Sequence, residues 1–188
     1  MAGAAPSFSE VHLVKALLAL KEGKTGRKRL ASLLGVGEGS VRTIIKKLSA
    51  EKLIASKPRG HELSSKGRQV VNGYLSRFSL PVGIGLDIAP GRKCCLVVVK
   101  GASERITNGL EEREVAVKSG AEGAILLKHS GGSITFPCGD ILLDDYPMTK
   151  DFVMNAGTSE GDLVVVGFAG SFEKAADGAM AIVLSLVQ

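Results

Sequence analysis

The residues best suited to chemistry are cations spaced along one helical face. Between Glu38 and Ala50, the residues Gly39, Arg42, Thr43 and Lys46 share one arc when plotted at about 100° per residue. Ser40 and Lys47 flank that arc, and Val41, Ile44, Ile45 and Leu48 fill the opposite one. Arg27, Lys28 and Arg29 stand together upstream, and Lys57-Pro58-Arg59-Gly60 follows downstream. Residues 1–80 hold 15 Lys/Arg and 5 Asp/Glu, a balance of +10, whereas residues 81–188 hold 9 and 14, a balance of −5. Such a division is expected when one part of a chain meets a polyanion and the other does not. A merely solvated basic surface is the plain alternative. The spacing of the cations on one face argues for the polyanion.

Elsewhere the candidates for chemistry are weak. Gly83-Ile84-Gly85 has no third glycine and no following helix, so it is not a dinucleotide fingerprint. Gly35-Val36-Gly37-Glu38-Gly39 lacks the Lys-Ser/Thr of a P-loop. Cys94 and Cys95 are adjacent on an expected strand and so face opposite ways. They cannot form a CxxC pair, and both they and Cys138 are expected to be buried small hydrophobes. A metal site built from Cys138, His129 and one of them is the alternative. Asp140, Asp144 and Asp145 beside Tyr146-Pro147 could suit Mg²⁺, but acidic residues around a turn are usually just solvated. His12 lies among apolar helix positions and is expected to pack or face solvent, while His129 adjoins a turn and is expected to be exposed. No Ser/His/Asp set is legible. The expectation is no catalytic residue, no metal and no cofactor, with an unidentified small-molecule effector left open.

The elements that carry the cations follow from periodicity. Ser9 can cap a first helix from Glu10 to about Glu22, with Val11, Leu13, Val14, Leu17 and Leu18 apolar and Gly23 as its stop. A short second helix spans Gly26–Leu34, with Leu30, Leu33 and Leu34 inward, and Gly35-Val36-Gly37 makes a tight turn. The third helix runs from Glu38 to Ala50. Leu53–Ser56, the turn Lys57–Gly60 and His61–Leu63 read as a β-hairpin. Ser64 or Ser65 then caps a fourth helix through Arg77, with Val70, Val71, Tyr74, Leu75 and Phe78 apolar.

This order resembles the winged helix-turn-helix DNA-binding domain. Leu30 through Leu48 looks like that family's second helix, turn and recognition helix, Glu51-Lys52-Leu53-Ile54 like the entry to its wing, and Leu63-Ser64-Ser65-Lys66-Gly67 like the exit. The resemblance covers residues 9–78. It implies that one face of the third helix is buried and the other enters the major groove. Arg42 is then placed for a bidentate guanine contact, and Lys46 and Lys47 for phosphate, an ammonium being a point charge rather than a fork. Gly39 permits close approach, Ser40 and Thr43 suit a base edge or a thymine methyl, and Arg27, Lys28 and Arg29 clasp the backbone. Lys57 and Arg59 at the wing tip suit the minor groove or phosphate. A winged-helix domain turned protein-interaction module, or an RNA ligand, are the other readings.

After Pro81 the texture changes to short β-rich runs broken by glycine, placing a boundary at about Ser79–Val82. The expected organisation is a winged helix over 1–80 and an α/β domain over 81–188 that senses a ligand or dimerises. Expected strands are Val82–Ile88, Lys93–Val99, Ala124–Lys128, Ser133–Pro137 and Leu163–Phe168. Expected helices are Thr107 to Ser119, with Leu110, Val115 and Ala116 toward the core, Asp151–Ala156, and Phe172 to Val187 capped by Ser171. Strands alternating with helices imply a layered α/β sandwich, and the hairpin in its middle suggests a mixed sheet. With the winged helix, the stretches Leu86 through Cys95, Phe136-Pro137-Cys138-Gly139-Asp140 and Glu160-Gly161-Asp162 resemble an uncharacterised archaeal family with a C-terminal domain of unknown function. That resemblance implies an architecture and no ligand.

Composition bounds the rest. The chain has 188 residues, is 45% hydrophobic, and has 24 glycines and no tryptophan, so its core must come from Val, Leu, Ile and Ala. No apolar run approaches the roughly 18–20 residues of a membrane span, and Met1–Ser9 does not read as a secretory signal. Three cysteines, two of them adjacent, do not make a disulfide framework, so a reduced, cytoplasmic protein is expected. The leading expectation is a non-enzymatic, homodimeric transcription regulator that binds double-stranded DNA and no membrane. An enzyme carrying a regulatory winged helix and a protein-protein adaptor are the alternatives.

Overall fold

The computed structural model describes residues 8–139 and 143–187. The chain divides into two compact units, Met1–Leu75 and Ser76–Gln188. This division lies upstream of 79–82, and hydrogen bonding explains it. Ser79 N–H donates to the Val98 carbonyl at 2.8 Å, and Phe78 bridges Val99. Phe78, expected on the fourth helix, therefore lies beyond its end and is wholly buried in the second unit's chain path.

The first unit orders α1 (Glu10–Lys21), α2 (Arg27–Leu34), α3 (Glu38–Ala50), β1 (Ile54–Lys57), β2 (Gly60–Leu63) and α4 (Ser65–Leu75). Ser9 caps α1, and its N–H donates to His12 Nδ1 at 3.1 Å, so His12 closes the helix start rather than packing in the core. Val14, Leu17 and Leu18 of α1, Leu30 and Leu34 of α2, and Val41, Ile44 and Leu48 of α3 form the buried centre. Leu33 is 44% exposed, because an eight-residue helix turns only part of its surface inward. The β1–β2 hairpin is antiparallel, and Ser64 Oγ caps α4 by accepting the Gly67 N–H at 3.0 Å. Helices followed by a hairpin are consistent with a winged helix.

The second unit orders β3 (Val82–Ile84), β4 (Lys93–Val99), α5 (Leu110–Lys118), β5 (Gly123–Ser130), β6 (Ser133–Thr135), α6 (Pro147–Met154), β7 (Leu163–Ala169) and α7 (Phe172–Val187). The five strands form one sheet in the order β3-β4-β7-β5-β6. The α/β class holds, but every pairing is antiparallel, so the sheet is not mixed. The last long strand, β7, inserts between β4 and β5, which separates those two parallel strands and leaves each an antiparallel neighbour. Cys94, Leu96, Val98, Leu127, Val164 and Val166 line one sheet face together with Leu143 and Val153. The other face, including Val97, Val99, Leu163 and Val165, lies under α7. Gly167 permits that contact: a Cβ there would fall 2.2 Å from the Ala175 carbonyl oxygen of α7. Leu110, expected in the core, is 61% exposed at the start of α5, where Ala116 is the inward residue. β3 is shorter than expected, and α6 begins at Pro147 rather than Asp151. No helix among the described residues is long and apolar enough to cross a membrane.

Candidate nucleic-acid interface

The third helix is aimed by its own ends. Gly35, at φ 68°, closes α2: its N–H reaches the Ser32 carbonyl, and Val36 N–H reaches that of Ala31 at 3.2 Å. Gly37 then starts α3 in extended backbone. The chain leaves α3 through Lys52, a non-glycine residue at φ 60°, a left-handed position that side chains rarely adopt. Three bonds hold that exit. Lys52 N–H donates to Ser49, Leu53 N–H donates to Leu48 at 2.9 Å, and Ser64 Oγ donates to the Lys52 carbonyl at 2.6 Å.

With Val41, Ile44 and Leu48 buried, Gly39, Arg42, Thr43 and Lys46 lie exposed together on the opposite face. Ser40 sits half-buried beside them. The Thr43 hydroxyl donates back to the Gly39 carbonyl at 3.3 Å, a bond that uses its hydrogen and not its acceptor lone pairs. Lys47 is set apart from the arc, its ammonium 5.3 Å from the centroid of the Phe8 ring in a cation–π contact.

The hairpin is tighter than its sequence suggests. Lys57 pairs with Gly60, so the turn is only Pro58-Arg59, and Lys57 belongs to β1. Lys57 Nζ lies 3.8 Å from Glu62 Oε1 across the strands, which leaves Arg59 as the cation at the tip. A further bridge joins the hairpin to the start of α2. Thr25 N–H donates to the His61 carbonyl at 3.0 Å, and His61 N–H donates to that of Thr25 at 2.9 Å. Gly60 makes this possible, since at φ 137° a Cβ would stand 2.8 Å from the Thr25 oxygen. The bridge sets Arg27, Lys28 and Arg29, all exposed, close in the chain to the turn end of the hairpin.

His61 is the residue that sequence reasoning missed. Its Nδ1 lies 3.0 Å from Ser56 Oγ. Burial, and then the nearby Arg27 charge, lower its pKa, which favours the neutral imidazole. Its position opposite Ser56 follows from hairpin register, but its closeness to Arg27 depends on the Thr25 bridge. Lys66, also unremarked in sequence, ties the end of α3 by donating to the Glu51 carbonyl at 3.0 Å.

The second unit does not gather its candidate residues. Cys94 and Cys95 are both fully buried on opposite sheet faces, and burial raises the Cys94 pKa. Cys138, expected to be buried, is instead exposed on the segment after Phe136, its Sγ 3.4 Å from the Asn108 carbonyl oxygen. Asp144 pairs with Lys150, Asp145 is exposed, and Asp140 lies outside the described residues. His129 is half-buried, with Nδ1 3.1 Å from Thr158 Oγ1, rather than exposed. No group of three His, Cys, Asp or Glu side chains among the described residues could hold a metal ion.

Residues 11–69 match the model of the PH0730-like N-terminal domain, and residues 90–186 match a domain of unknown function, DUF4443. The solved structure of the hypothetical protein PH0730 from Pyrococcus horikoshii OT3 is 31% identical, with a TM-score of 0.82. That match covers 96% of this chain and 93% of the other. No curated protein matches the chain.

Proposed function

This chain belongs to the PH0730-like family, with DUF4443 as its second domain, and we propose that its first unit is a winged helix-turn-helix that binds duplex DNA. The protein in this reading is a transcription regulator and not an enzyme. The observation that carries the reading is the exposed face of α3. It offers one arginine fork, one lysine and small residues, opposite the buried Val41, Ile44 and Leu48 and the half-buried Ile45. A guanidinium suits the two acceptors of a guanine edge, and an ammonium suits phosphate. Arg42 is the base-reading residue, and Thr43, Ser40 and Gly39 line the approach. Lys46, Arg27, Lys28, Arg29 and Arg59 anchor phosphates. Lys47 and Lys57 contribute less, because Phe8 and Glu62 already engage them.

One winged helix reads few base pairs, and two-fold pairing of half-sites is the usual remedy. The working form proposed here is a homodimer. The half-buried Val70, Tyr74 and Leu75 of α4 and the second unit would contribute to it. Light scattering at micromolar concentration should give twice 19.5 kDa. A single-chain mass with and without DNA would remove the dimer.

Titration of duplex DNA at several salt concentrations tests the main reading. Each neutralised phosphate releases counterions, so about five to eight contacts per protomer give a log–log slope of about −4 to −7. A flat response from low to physiological salt would refute DNA binding.

A further inference from the structure

We propose that the second unit holds a binding site for a small amphipathic carboxylate, a molecule with an apolar body and one anionic end. A cavity of about 460 Å³ opens at one end of the five-stranded sheet, within the roughly 300–1,000 Å³ range of small-molecule sites. Its floor is Ile125 of β5, Phe168 of β7 and Ile88, three side chains that reach the sheet core but stay only partly buried. Phe136 and Pro137 make one wall. An apolar ligand here would add to the cover of a core face that the described residues leave incomplete.

The mouth is built rather than accidental. Cys138 Sγ meets the Asn108 carbonyl at 3.4 Å, which joins the 136–138 wall to the segment entering α5. Asn108 Oδ1 accepts the Leu110 N–H at 3.0 Å. Gly109, at φ 78°, lets that segment lie against the sheet, since a Cβ there would stand 3.0 Å from Leu126 Cδ1.

Two residues of α5 line the opening, Leu110 and Arg113. They are three apart and so share a helix face. Leu110 is 61% exposed, an apolar side chain at the rim with little of its own core to meet. Arg113 forms no ion pair among the described residues. Arg113 sits between Glu112 and Glu114 in the helix, and Glu114 is engaged by Lys118 at 3.1 Å. A guanidinium beside an apolar floor matches one carboxylate, whose two oxygens take its fork. The site lies wholly in the second unit and stands apart from the DNA reading.

Calorimetric titration of the full chain with decanoate, decanol and decylamine, each below its micelle concentration or solubility limit, tests the site without DNA. Decanoate should bind, decanol at least about ten-fold more weakly, and decylamine not measurably, because a charge-assisted hydrogen bond supplies the difference. Arg113→Gln should bring decanoate down to the level of decanol and leave decanol unchanged. Leu110→Asp should weaken both. Both residues are exposed, and an unchanged circular dichroism melt should show that each variant folds. Amide shifts should cluster at Leu110, Ile125 and Phe136. Absence of binding, equal affinity for the three probes, or decanoate binding indifferent to Arg113→Gln would overturn the proposal.

Discussion

The two units treat charge in opposite ways. In the first, Arg27, Lys28, Arg29, Arg42, Lys46 and Arg59 are exposed, and none forms an ion pair among the described residues. In the second, three carboxylates are engaged by backbone. Asp87 Oδ2 accepts the Met148 N–H at 3.0 Å, and Oδ1 accepts the Thr149 N–H at 3.0 Å and its hydroxyl at 2.6 Å, which caps α6. Glu160 takes the Gly131 and Gly132 N–H groups at 2.7 and 3.1 Å and clamps the β5–β6 turn. Asp162 takes those of Gly101 and Ser159 at 3.0 and 2.9 Å. A charge engaged by backbone holds a fold. A charge left facing solvent on a rigid helix is available to a partner. Asp87 and the Glu160-Gly161-Asp162 stretch stand out in sequence for a structural reason.

The sharpest way to break this contrast is to damage the second unit without touching the cations. Gly167→Ala forces α7 off the sheet, since the new Cβ would meet the Ala175 oxygen at 2.2 Å. Overpacking of this kind costs about 1–3 kcal/mol, and the upper end is expected here. Calorimetry should show the second unit's transition falling by several degrees while the first unit's stays put. Equal shifts in both would show that the units do not melt separately.

Arg42→Ala should do the reverse. It lies on the exposed arc of α3 and should leave both melting transitions unchanged. On the best duplex it should cost about 1–3 kcal/mol, with little loss on random DNA. Competition between the two DNAs reads this directly, and an unchanged specificity ratio would mean that α3 faces another way.

A smaller contrast lies within the hairpin. Arg59→Ala at the tip should weaken all duplexes evenly, by about 1 kcal/mol or less. Lys57→Ala should do less, because Glu62 already neutralises Lys57. An equal loss from the two would mean that the 3.8 Å pair opens on binding.

The smallest effect is acid sensitivity of the second unit. At Asp87, burial opposes ionisation, but the Thr149 hydroxyl and the Met148 and Thr149 N–H groups outweigh it and lower the pKa. At Glu160, the Gly132 and Gly131 N–H groups lower it. In both cases the unfolded chain binds protons first as pH falls. Their contribution is therefore complete above the ordinary carboxylate values of about 4 and is lost as pH falls through the lower folded values. Solvent screens both groups, so the effect is modest. Asp87→Asn with Glu160→Gln should flatten the melting temperature between pH 5 and pH 3, in that this range spans about one unit on either side of those values. A variant profile as steep as the parent's would remove these two from the account.

Local rules determined much of this protein. Periodicity, caps and glycine stops placed α3 from Glu38 to Ala50 and α7 from Phe172 to Val187, and the apolar seam of α3 by itself implied which residues face out. The hairpin was legible because its turn residues and its alternation are neighbours in the chain. Tertiary structure decided what depends on distant partners. That β7 lies between β4 and β5, making the sheet antiparallel throughout, is a matter of which strands meet, and no local signal encodes it. Leu33 and Leu110 are apolar yet exposed, because burial depends on what covers a face and not on residue type alone. Phe78 fits a helical stripe but ends in a bridge to Val99, 21 residues downstream. The separation of Lys47 and Lys57 from the other exposed cations required seeing Phe8 and Glu62 beside them. Sequence shows which charges a chain carries, whereas only the assembled fold shows which of them already have a partner.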